Sequence, residues 1–359
     1  MKKIIIFSLG LIAIAGIATA VYSVNRNQPK TKEEKFFQEF ELAGEREKRP
    51  VFEKYINELG PTTMLDILES HYPGCHSQAH ELGRTIFAQT KNIEESFTTC
   101  STRCSYACFH GVLMEIFADS TAQKDVIHNH PEGTTDHLHV ETEDIITKAR
   151  IVCDDLGNTD DTVKGACVHG LGHGFTLLFP DNLTSALDLC NTIYKDAASR
   201  FYCASGVFMQ RDLDRGAQDA QSANPLYPCD TFTDIPAACY AFKITRLVYE
   251  QNYQDDDIIK LCLSLPTHER RGCFMGYGFH NYIPLLENPE LLGELCGTGD
   301  TNDKKMCIDG AVLQATLFDQ YNLQPACESL TDNELRQWCQ DAVVQRVYSY
   351  DHSYDLYVQ

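Results

Sequence analysis

The feature that most restricts the fold is a cysteine that returns at a nearly constant interval. Cysteines leading an apolar run of helical period stand at Cys75, Cys108, Cys167, Cys203, Cys239, Cys273, Cys307 and Cys339, with successive gaps of 33, 59, 36, 36, 34, 34 and 32 residues. A period of about 34 residues is one helix–turn–helix unit, which cannot bury its apolar face alone and so stacks on its neighbours. The expected fold class is therefore all-α: an α/α solenoid of about eight such hairpins. Three residues after the cysteine stands Gly111, Gly170, Gly206, Gly276 or Gly310 in five units. Glycine is a poor helix former, so its recurrence there predicts close helix–helix approach. The one long gap marks an inserted loop, Ala118 to about Val140.

A second cysteine stands 10 to 14 residues before its partner in six units, at the end of the preceding helix. The predicted disulfides are Cys153–Cys167, Cys190–Cys203, Cys229–Cys239, Cys262–Cys273, Cys296–Cys307 and Cys327–Cys339, each stapling one hairpin across its loop. Cys75, Cys100, Cys104 and Cys108 remain with their pairing open. On a helix, Cys100, Cys104 and Cys108 share a face and resemble a metal-ligand set, but an oxidising compartment favours disulfides.

A helix ending in cysteine, a short loop and a helix starting Cys-x-x-Gly resemble the secreted cysteine-rich helical-repeat proteins of the tetratricopeptide-related superfamily, over roughly residues 61–350. The resemblance is architectural, since the Gly-x-Gly-Val turn of those repeats is missing. It implies a superhelical array with a concave face for a protein or peptide ligand, and no catalytic residue.

The N-terminus agrees with export. Met1-Lys2-Lys3 precedes an apolar run from Ile4 to Val24, which reads as a signal peptide with Ala18-Thr19-Ala20 as its cleavage site, or as an uncleaved membrane anchor. Sixteen cysteines fit that oxidising destination. Residues 25–60 read as a charged linker and helical cap, 61–350 as the repeats and 351–359 as a tail. A net charge of −21 excludes nucleic acid as a partner.

The histidines single out the first three units. His76 and His80, His110, and His169 and His173 lie within six residues after their cysteines, and the other five units have none in that stretch. Two histidines four apart share a helix face and can reach one metal ion. Neighbouring units can bring all five imidazoles around zinc, copper or iron. His128, His130, His137 and His139 in the insert form a secondary metal candidate. Seven residues after the cysteine, Glu115 is the one candidate acid/base. The same offset holds Gln210, Arg246, His280, Gln314 and Arg346, a polar stripe expected to line a groove. Two functions follow: an extracytoplasmic interaction protein with a histidine-rich metal site, or a hydrolytic or oxidative metal-dependent enzyme using the same histidines.

Overall fold

The structure, a computed structural model, describes residues 31–345 apart from 45–46, 73, 128–145, 148–149, 152, 156–160 and 319–320. Among the described residues the fold is all-α, with no strand. None of the described helices is long and apolar enough to cross a membrane. Residues 1–24, the tail 351–359, Arg346 and the four histidines of the insert lie outside the described residues.

Three helices form an N-terminal cap: α1 (Lys32–Leu42), α2 (Lys48–Leu59) and α3 (Pro61–His71). Thr31 starts α1 with a capping box. Its hydroxyl accepts the Glu34 N–H, and the Glu34 carboxylate accepts the Thr31 N–H. Gly60, at φ +78°, makes the sharp turn from α2 into α3, which Pro61 opens. Phe36, Phe40 and Phe52 are fully buried with Met64, Leu65 and Leu68. The described part of the expected linker is thus packed structure. Its charged residues face out while its phenylalanines, at helical spacing, go inward.

The remaining helices are α4 (His76–Thr90), α5 (Ile93–Thr99), α6 (Ala107–Ile127), α7 (Asp161–Leu178), α8 (Leu183–Ile193) and α9 (Ala197–Asp219), then α10 (Pro236–Gln251), α11 (Asp255–Leu263) and α12 (Thr267–His280). After them come α13 (Ile283–Glu287), α14 (Leu292–Leu295), α15 (Thr301–Leu313), α16 (Gln324–Ser329) and α17 (Asn333–Gln345). The recurrent cysteines lie at the N-cap of α4 and within α6, α7, α9, α10, α12, α15 and α17, and each of these helices packs on the next. One apolar core runs continuously through them, from Phe87 to Ala342. The insert expected as loop from Ala118 starts as helix, because α6 continues to Ile127.

All six expected staples form, from Cys153–Cys167 to Cys327–Cys339, with Cα–Cα distances of 5.3 to 5.6 Å. The first four cysteines pair as Cys75–Cys104 and Cys100–Cys108. They do not share a helix face: Cys104, Ser105 and Tyr106 all have positive φ, and this left-handed turn folds Cys104 back to Cys75. Cys229 also departs from the expected pattern, lying in turns rather than at a helix end. Pro225 and Pro228 beside it cannot donate the backbone bonds a helix there needs.

The glycines explain how the inner helices approach. A Cβ on Gly111 would stand 1.9 Å from the His80 carbonyl oxygen, and one on Gly83 2.0 Å from that of Cys108. The same reciprocal crossing joins Gly172 to Cys203 and Gly206 to His169, at 2.0 and 1.9 Å. Gly278 and Gly310 repeat it with Cys307 and Met275, at 1.9 Å each. No other residue lets two helix backbones come this close.

Candidate metal centre

The centre of the fold lies on α7, where residues 165–176 are buried without a break. Such a helix has no polar face to spare, so its two histidines must find partners inside. His169 and His173 are fully buried, and so is His110; His80 is 6% exposed and His76 is half-buried. One ligand atom from each of His76, His80, His110 and His173 lies within 4.8 Å of all the others. This cluster is capable of holding a metal ion. His169 adjoins it, its Nε2 standing 3.1 Å from His173 Nε2. All five expected histidines are therefore brought together, through α4, α6 and α7.

The hydrogen bonds around the rings set their tautomers. The Ser205 hydroxyl donates to the Tyr202 carbonyl at 2.7 Å, so its oxygen accepts from His169 Nδ1–H, also at 2.7 Å. The Gln210 amide nitrogen donates to both carboxylate oxygens of Asp214 at 3.0 Å. That turns its carbonyl oxygen toward His173 Nδ1, 2.9 Å away, where it accepts the ring proton. In both neutral rings the proton is then on Nδ1 and the lone pair on Nε2. The two Nε2 atoms then face each other with no proton between them. His80 Nε2 and His110 Nδ1 make a further contact at 3.2 Å. His76 hydrogen-bonds the Cys104 backbone, while its Nε2 and His110 Nε2 are buried without a hydrogen-bond partner among the described residues.

Burial keeps these rings neutral. It lowers His76 to about 3 and His173 to about 4. His80, His110 and His169 are also held well below the ordinary histidine range, first by burial and then by neighbouring imidazoles. Neutral imidazole is the form that binds metal.

Glu115 is not part of this group. Its carboxylate accepts from Arg49 Nη2 at 2.8 Å and Arg84 Nε at 3.0 Å, tying the cap to α4 and α6. Nor does the expected stripe share one role. Gln210 orients His173, and Arg246 pairs with Asp212 and packs its guanidinium over Gly216. His280 and Gln314 line a cavity. Sequence reasoning missed Ser205 and the Asp214 that fixes Gln210. Their one visible signal was position on α9, the helix that packs on the histidine-bearing α7. No known protein family, curated protein or solved structure matches the chain.

Proposed function

We propose that the chain is an extracytoplasmic helical-repeat protein that binds a transition-metal ion through His76, His80, His110 and His173, with His169 as a fifth donor, and that the ion is copper. The observation that carries this reading is the 3.1 Å approach of two Nε2 lone pairs whose protons are held elsewhere. Two nitrogens bound to one ion at about 2.0–2.1 Å stand roughly 3.3 Å apart at the tetrahedral angle. Without an ion, the same lone pairs repel.

The choice of metal rests on charge. Every donor is a neutral imidazole, and no carboxylate joins the group among the described residues. The cost of taking an ion out of water rises with the square of its charge, so an all-neutral buried shell favours singly charged copper(I) over zinc(II) or iron(II). Among divalent ions, copper also heads the affinity order for nitrogen ligands. The eight disulfides support an oxidising, extracellular-type environment. Tethering or export through residues 1–24, a protein or peptide ligand on a concave face and kinship with the secreted cysteine-rich repeats belong to the same reading. A catalytic use of the histidines is the second reading, favoured by a cavity that reaches His76.

Elemental analysis of the purified protein and of the His169→Ala/His173→Ala double variant tests the centre. Competition between copper(I) and zinc(II), with chromophoric chelators under anaerobic conditions, tests the metal. The expected result is stoichiometric copper that the double variant loses while keeping its helical circular dichroism. No bound metal in either protein after loading would sink the centre. Zinc displacing copper(I) would sink only the choice of ion.

A further inference from the structure

A cavity of about 530 Å³ lies beside the histidine cluster. That volume suits a single small molecule. One wall is the start of α4, from Gly74 to His76, and the opposite wall comes from α10, α12 and the segment after it. Two lining residues also border the cluster. His76 belongs to the gathered imidazoles, and the ring of Phe242 lies 6.3 Å from that of His169, centroid to centroid.

Charge narrows the class of ligand. The chain carries a net charge of −21, yet no Asp, Glu, Lys or Arg lines this cavity among the described residues. Of the two lining histidines, His280 lies outside the cluster, and burial lowers its pKa, so it is neutral at neutral pH. An ionic ligand would give up its hydration here and find no counter-charge. Shape narrows it further. Phe242 and Phe279 meet edge to face at 5.9 Å, as do Tyr249 and His280 at 5.2 Å. Edge-to-face pairs leave ring faces open to a third ring. Tyr249, Ile283 and Tyr321 are 70%, 54% and 49% exposed, and all three line this cavity. Large apolar side chains left in water around one concavity mark a binding surface. Gln314 adds an amide at the start of a π-helical turn, Gln314–Phe318, an irregularity common at functional sites.

We propose that this cavity binds an uncharged small molecule bearing an aromatic ring, stacked among Phe242, Tyr249 and Phe279, with a polar substituent met by Gln314 and His280. The proposal does not depend on a metal, since the cavity wall other than His76 lies outside the histidine cluster.

Fluorescence titration of the purified protein with neutral 2-naphthol, and with the charged probes 2-naphthoate and 2-naphthylmethylammonium, tests it. The expected result is saturable one-site binding of 2-naphthol, at least about tenfold tighter than either ion. Tyr249→Ala and Thr245→Asp, both at the cavity, are each expected to weaken it by about tenfold or more while leaving metal content unchanged. The His169→Ala/His173→Ala variant is expected to keep naphthol binding. Absence of saturable binding overturns the proposal, and so does equal binding of the charged probes or indifference to both cavity variants. Metal content measured in the same samples reports on the metal centre separately.

Discussion

Gln210 touches no expected ligand atom, yet it decides which nitrogen of His173 is free. Leucine in its place removes the acceptor for Nδ1–H and frees the ring to turn. Gln210→Leu is therefore expected to lower metal affinity by about 10- to 100-fold and to cost about 1–3 kcal/mol of metal-free stability, since a buried ring N–H loses its acceptor; isothermal titration and chemical denaturation of the variant check the two. The histidines also set a pH dependence. Histidine in the unfolded chain titrates near 6.5, whereas the buried His76 and His173 titrate only at about 3 and about 4. Below pH 6.5 the unfolded chain binds more protons, so folding stability is retained above that pH and lost as the pH falls. At pH 5 the loss is about 2 kcal/mol for each such ring. The metal-free protein is expected to show a melting temperature that is flat above pH 7 and falls between pH 6.5 and 4, with proton uptake on unfolding.

At the scale of the helix, the decisive contacts are the glycine crossings. Gly206→Ala puts a methyl group 1.9 Å from the His169 carbonyl, where only backbone can give way. The expected cost is about 3 kcal/mol or more, with loss of bound metal. Gly293→Ala is the control: its added carbon meets nothing nearer than 3.8 Å, and the helix gains up to about 1 kcal/mol. Chemical denaturation of both variants distinguishes them. The crossings also explain what was readable in the sequence. The cysteine period and the six short-range staples were legible because each joins residues 10 to 14 apart within one hairpin. The pairing of Cys75 and Cys100 was not, since it depends on three consecutive left-handed residues with no glycine to announce them. The five histidines were legible as a group, although their offsets from cysteine disagree. Register is set by the crossing glycine instead: His80 and His169 each lie three residues before theirs, Gly83 and Gly172.

For the whole molecule, stability is spread along the chain, because each inner helix packs mainly on its neighbours and carries its own staple. Each disulfide closing so short a loop contributes about 2–3 kcal/mol. Reduction is therefore expected to lower the melting temperature by tens of degrees and to broaden the transition. Calorimetry with and without reductant checks this; an unchanged midpoint would mean that the staples add nothing. The Arg49–Glu115–Arg84 contacts join the N-terminal cap to the helices that bear His80 and His110. One consequence of the backbone crossings concerns time rather than affinity. The His80 and His169 carbonyls are pressed against glycines of the following helix, so the backbone that carries each imidazole cannot shift without parting two helices. For an ion held by the cluster, any exchange that needs these backbones to move would be limited by the rate at which the two helices part, and the residence time would depend on more than the ligands themselves.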